Sequence, residues 1–205
     1  RVESDGEGSP MTMQRMNAMM QKILEEKSEE EQEKLLYDTG WYGEKDFFKN
    51  ASLRTEWKLV GKEFIPDSTS KNYIEQTKVL RDYMLGLKSL SKEEQEECSD
   101  ELLDGLQKMI DEDYETNWQE VAKKLSELLI NKNHRRIPAE ILYDWVLQFR
   151  NKKERGILEG NYDWSNALSS YGRLVYLGYA RRDGVGVHSA RPDHQGDYLG
   201  VVSLR

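Results

Sequence analysis

The chain has 205 residues, 33% of them charged and 37% hydrophobic, with a formal net charge of −8. That balance argues against nucleic acid as the main partner, because phosphate binding needs a basic face. Five Trp and eleven Tyr exclude wholesale disorder, and the one cysteine, Cys98, excludes an intrachain disulfide framework or thiolate zinc cluster.

Residues 1–10 are small, acidic and rich in Gly and Pro, and read as a flexible lead-in. From Met11 to about Leu36 the pattern is helical, with Met13, Met16, Met20, Ile23 and Leu24 at three- and four-residue steps. Glu25 to Glu33 then forms a solvated helical face, and Asp38-Thr39-Gly40 ends the helix, Gly taking the cap. Residues 1–40 are thus expected as a lead-in plus helix, and 41–205 as the main domain. A Met stripe can dock on partners, but packing on its own domain is the better reading of this one.

Trp57–Ile65 reads as a strand stopped by Pro66. Ser68 or Ser70 is expected to cap a helix running to about Leu87, with Tyr73, Ile74, Thr77, Leu80, Tyr83 and Met84 along one side. Two further starts have capping-box spacing, Ser91 with Glu94 and Thr116 with Gln119. The second opens a helix through Trp118, Val121, Leu125 and Leu128. Pro138 suits the first turn of another, whose apolar side is Ile141, Leu142, Trp145, Val146 and Phe149.

Near residue 160 the composition changes: no Glu follows Glu159 and no Lys follows Lys153. Helical spacing gives way to β-type runs between Gly-rich turns, namely Arg173–Tyr179, Gly184–His188 and Tyr198–Leu204. A polar loop, Ser189–Asp197, joins the last two. No apolar run approaches the ~18 residues of a membrane span, no secretory leader is read, and there is no internal repeat.

Chemistry-bearing groupings are sparse. His188, His194 and Asp193 could gather round a cation, but their spacing matches no established metal motif. Ser189 adjoins His188, yet strand neighbours point to opposite faces and are poorly placed to share a proton. Gly184-Val-Gly186 precedes no helix, so hairpin geometry explains it better than phosphate binding. No catalytic residue, metal ligand or cofactor is assigned. Of the basic pairs, His134-Arg-Arg136 precedes a helix start and reads as solvated. Arg181-Arg182, with Tyr176, Tyr179 and Arg191, reads as a recognition face, since Arg and Tyr offer area and directional bonding with few soft torsions.

The C-terminal stretch carries a resemblance. Trp164–Gly178, Gly184-Val-Gly-Val-His188, Pro192-Asp and Asp197-Tyr-Leu-Gly-Val-Val-Ser-Leu-Arg205 resemble the variable region of diversity-generating retroelement target proteins. Upstream, Trp57-Lys-Leu-Val-Gly, Phe64–Thr77, Trp118-Gln with Ala122–Glu127, and Ile141-Leu-Tyr with Lys153-Glu-Arg155 are similar to one microbial branch of that family. The match runs from about Trp57 to the end, and its order and spacing are more specific than any one motif.

The resemblance implies an α+β protein with a C-type-lectin-like fold of the formylglycine-generating-enzyme type: short antiparallel strands, a helical N-terminal half, and a variable region at about 161–205. It implies that Trp57–Ile65 pairs antiparallel with Tyr198–Leu204. In that family, error-prone copying at adenines turns Asn codons into many residue types, but never Lys, Glu, Met or Trp. Gln195 lies outside that set as well. Trp164, Leu174, Val175, Leu177, Val185, Val187, Leu199 and Val201 would be scaffold, with Gly172, Gly178, Gly184 and Gly200 at turns and close approaches. The ligand-binding set would be Asn166, Tyr176, Tyr179, Arg181, Arg182, Gly186, His188, Ser189, Ala190, Arg191, His194, Gln195, Tyr198 and Val202. The implied function is ligand binding, to a protein, without catalysis. The competing readings are a helical adaptor docking through the Met-rich helix and an oxidase of the same fold. Such oxidases use paired cysteines and copper, and here only Cys98 exists.

Overall fold

The computed structural model describes residues 1–25, 34–113, 115–152 and 154–205, with the backbone alone for 23–25. The protein is α+β. Eight α-helices are described, α1 Met13–Glu25, α2 Asp46–Lys49, α3 Tyr73–Gly86, α4 Lys92–Glu97, α5 Asp100–Glu112, α6 Trp118–Glu127, α7 Leu129–His134 and α8 Pro138–Lys152, with a short 3-10 turn at Gly156–Leu158. The strands are β1 Tyr162–Leu168, β2 Leu174–Arg181, β3 Gly184–Ala190 and β4 Leu199–Gly200, in the order β3-β2-β1-β4. The β2 strand is antiparallel to both β1 and β3, but β4 runs parallel to β1, so the sheet is mixed rather than wholly antiparallel. Among the described residues no helix is long and apolar enough to cross a membrane.

Alternation along the strands splits the core across the sheet. Val175, Leu177, Val185 and Val187 face α1, α2 and α8, where they meet Met13, Met16, Phe47, Phe48, Ile141 and Leu142. On the other face Trp164, Leu174, Leu199 and Val201 meet α3, α5 and α6 through Ile74, Leu80, Leu103, Val121 and Leu125. All eight scaffold positions are buried.

The N-terminal expectations need correction. Residues 1–10 are tied down: Asp5 accepts hydrogen bonds from the Glu7 and Ser9 backbone and pairs with Arg15, and the Arg1 side chain pairs with Glu140 and Asp144. The α1 helix shares its core with α8 and the sheet. The helix does not reach Leu36. Leu35 and Tyr37 instead exchange backbone bonds with Val185, alongside β3 (2.9 and 3.1 Å). Met11, Met13 and Met16 are buried against the protein's own core. The side chains of Ile23 and Leu24, the Glu25–Glu33 face and Lys153 lie outside the described residues.

Helix starts follow side-chain competition. The Ser91–Glu94 capping box opens α4 as expected. The cap of α3 is Asn72, boxed with Glu75, rather than Ser68 or Ser70. Ser68 is buried and accepts from the Val201 N–H, and Ser70 takes a left-handed φ of 57°. Thr116 turns its hydroxyl to Asp113, leaving Asn117 before α6 with no side-chain cap. The Asp38 carboxylate accepts from the Gly40 N–H, forming a local turn rather than a helix cap.

The basic run before α8 is not solvated. His134, Arg135 and Arg136 are all buried. The His134 ring contacts the Leu204 carbonyl at 2.9 Å and Glu94 at 3.0 Å. Arg135 lies 4.0 Å over the Tyr73 ring and bonds Asn131. Arg136 places two N–H donors on Asp163 Oδ2, at 3.2 and 2.8 Å, and one on Asp144 at 3.1 Å. Asp163 Oδ1 accepts from the Val202 N–H at 3.0 Å, so this pair ties α8, β1 and the C-terminal segment together.

That segment meets an extended run from the first half of the chain. Leu59 and Arg205 exchange both backbone bonds (2.8 and 2.9 Å), Gly61 donates to Ser203, Ile65 donates to Val201, and Val60 and Leu204 form an antiparallel bridge. Trp57–Ile65 and the chain end therefore run antiparallel, as expected, though as separate bonds rather than an unbroken ladder.

Candidate recognition surface

The helix-packed core covers only part of the second sheet face. The rest carries a connected group of rings. Tyr162 on β1 is its centre: it stacks on Tyr179 (5.6 Å between centroids, 13° between planes) and meets Tyr176, His188 and Tyr198 edge-on at 5.3, 5.4 and 5.7 Å. Tyr176 also stacks on His194 at 6.2 Å and abuts Trp164 at 4.8 Å. The Arg181 guanidinium lies 4.0 Å over the Tyr179 ring. Edge-to-face and offset contacts of this kind stabilise by about 0.5–1.5 kcal/mol beyond the area they bury.

Tyr179 reaches this face because β2 is irregular. Strict alternation would put it with Val175 and Leu177 on the opposite side. The register of β2 shifts between Gly178 and Arg181, on both sides of a Tyr179 φ of 52°. The extra residue of such a bulge turns Tyr179 to the side of Gly178 and sends Ala180 into the other core. Gly178 is required by close approach: a Cβ there would lie 1.9 Å from the Asn161 carbonyl oxygen.

The expected binding set divides. Tyr176, Tyr179, Arg181, His188, His194 and Tyr198 form or flank the ring cluster. Gly186 lies beneath it, where a Cβ would come within 3.4 Å of His188 Nε2 and Tyr162 Oη. Arg182 is exposed at the β2–β3 turn. Others lie apart. Asn166 points its amide at the Asn131 carbonyl beside α7, and Arg191 covers the Trp118 ring near Glu115. Gln195 bonds Glu75, while Ser189 and Ala190 are half-buried. Val202 is a correction: it is 1% exposed, because its N–H must reach Asp163. Tyr162 is the residue missed. It stands two positions before Trp164, a spacing that puts both on one face of a strand.

Electrostatics are governed by partial burial. Burial pushes the Tyr176 phenol up to about 12 and raises Tyr162, so both stay protonated at neutral pH. Burial against the rings lowers His188 from the ordinary 6.5. As pH falls, the unfolded chain takes up this proton first, so folding stability drops below pH 6.5 and is retained above it. An NMR titration of the His188 ring should give a midpoint below 6.5, and His188→Gln should flatten the acid slope of stability. A midpoint above 6.5 would contradict the desolvated placement. His194 Nε2 is buried without a hydrogen bond among the described residues. Among those residues no group of three His, Cys, Asp or Glu is placed to hold a metal ion.

Comparison with known proteins yields no match to any family model, curated protein or solved structure.

Proposed function

We propose that the chain is a binding protein whose C-terminal sheet face recognises a protein ligand, as the resemblance to retroelement-diversified C-type-lectin-like proteins implies. The observation that carries the reading is the ring cluster itself. Tyr162, Tyr176, Tyr179, His188 and Tyr198 come from three strands and the final loop; Tyr162 and Tyr176 are half-buried against the core, and Tyr179, His188 and Tyr198 are exposed around them. Tyr rings and a stacked Arg supply rigid contact area at low entropic cost, which is what protein recognition uses. Exposed side chains that hold up no core can change identity for about 0.5 kcal/mol or less each, so the face suits diversification. The Met stripe needed for adaptor docking is occupied internally. Burial pushes the Cys98 thiol up to about 11, which does not favour thiolate chemistry.

The test separates face from scaffold. A displayed library randomised at Tyr179, Arg181, Arg182, His188 and Tyr198 should yield binders to purified proteins. The triple variant Tyr179→Ala, Arg182→Ala, His188→Ala should melt within about 6 °C of the parent. Loss of cooperative unfolding in the triple variant, or a folded library without binders, would count against the reading.

A further inference from the structure

The edge of the sheet opposite β3 carries a second surface. Trp57 is 101% exposed and Leu59 67% exposed, two residues apart on the extended run that pairs with the chain end. Antiparallel geometry makes successive residues turn their backbone groups to alternate sides. Leu59 and Gly61 point inward, bonding Arg205 and Ser203. Lys58 and Val60 point outward, and among the described residues they make no backbone hydrogen bond. An open edge with two exposed apolar side chains is a template for strand addition.

The charges on this edge select its occupant. Outward-facing residues must oppose outward-facing residues, so a second copy can add antiparallel in only a few registers. With Val60 opposite Val60, Lys58 falls opposite Lys62. With Lys58 opposite Lys58, Arg54 also falls opposite Lys62. Centring the two-fold on Leu59 removes every like-charge pair. Glu56 then opposes Lys62 of the other copy, twice by symmetry, Lys58 opposes Val60, Leu59 meets Leu59, and each Trp57 covers the other copy's Gly61. Glu56 keeps its own contacts with Lys58 at 3.5 Å and with the Arg1 side chain at 3.9 Å, and the run bends at Lys62 and Glu63, so the new ladder would be short.

The geometry points to this edge as a self-complementary interface through which two copies of the chain associate weakly, joining their sheets across Glu56–Lys62. Cross-strand charge pairs contribute about 0.2–1 kcal/mol each. Reversing one charge should therefore weaken association about tenfold, since it acts at two symmetric positions.

Sedimentation velocity on the full chain, over increasing concentration, should show a monomer–dimer equilibrium accompanied by shielding of Trp57 from acrylamide. Val60→Pro removes an outward N–H and should abolish the dimer. Lys62→Glu, at an exposed side chain, should weaken it without touching the fold. The decisive arm mixes two chains: Glu56→Lys and Lys62→Glu should each associate poorly alone and recover association when combined, because every cross-edge pair is again of opposite charge. A wild-type chain that stays monomeric, a dimer indifferent to Val60→Pro and Lys62→Glu, or a mixture no stronger than its components would each overturn the proposal.

Discussion

Replacing Arg136 with Ala is expected to cost about 3–5 kcal/mol, the range for removing one partner of a buried ion pair. Arg136 is 4% exposed and Asp163 is fully buried. Burial works against both charges. At Arg136 the Asp163 and Asp144 carboxylates outweigh it and hold the guanidinium above its ordinary value. At Asp163 burial raises the carboxyl, with Arg136 the largest opposing influence and the Val202 N–H the next. Two N–H donors on one carboxylate oxygen are the geometry of an ion pair. Without Arg136 the fully buried carboxylate keeps one backbone donor and the more distant charge of Arg135. It can then relax by taking up a proton. A carboxyl whose folded-state value is raised favours folding at low pH and loses that contribution as pH rises. The deficit of Arg136→Ala, followed by urea unfolding, should therefore shrink from pH 7 towards pH 4, while Arg136→Met with Asp163→Leu should recover much of it at neutral pH. A neutral-pH loss under about 1 kcal/mol would show that the pair does not join α8 to the sheet energetically.

That pair also shows where a one-dimensional reading stops. Periodicity identified α8 and most of α3, because every third or fourth residue is apolar and nothing distant contradicts it. The Ser91–Glu94 box was legible because both its bonds close within three residues. The Arg135-Arg136 pair was not, since its acceptors sit at Asp163, 27 residues on, and at Asn131, whose amide reads as ordinary helix surface. The β1 strand escaped for a related reason. Its alternation is aromatic against polar, and the polar side is buried: Asp163 on Arg136, and Ser165 donating to the Val175 carbonyl. That alternation lasts only from Tyr162 to Ser165 before Asn166 breaks it, the short limit for reading a strand. The α5 helix was missed at its Ser99 cap, although Leu103, Leu106 and Ile110 have helical spacing. At the surface, residue type pointed to Tyr176 and Tyr179 together, but alternation alone would have parted them. Only the bulge explains why they share a face.

Gly178→Ala should therefore be strongly damaging, and Gly186→Ala, directly across the β2–β3 pairing, nearly silent. The two glycines are partners in register. A Cβ on Gly178 would come 1.9 Å from the Asn161 carbonyl oxygen and 2.6 Å from the Tyr162 Cα, both backbone atoms. Relief would require moving β1 away from β2. The Tyr179 N–H bonds the same Asn161 carbonyl at 2.7 Å, so separation would break the contact that anchors the bulge and withdraw Tyr162 from the ring cluster. Overpacking costs about 1–3 kcal/mol where side chains can adjust, and more where backbone is the obstacle, so a loss of about 3 kcal/mol or greater is expected. At Gly186 the nearest atoms to a Cβ are the Gly178 carbonyl oxygen, His188 Nε2 and Tyr162 Oη, at 3.3–3.4 Å. Two of these belong to the ends of half-exposed rings that can yield a few tenths of an ångström, for about 1 kcal/mol or less. Urea unfolding of both variants, with near-ultraviolet circular dichroism reporting the tyrosine cluster, gives the comparison directly. Equal costs would mean that the bulge at Tyr179 does not set the cluster's geometry, and that the surface built on it is not separable from the core.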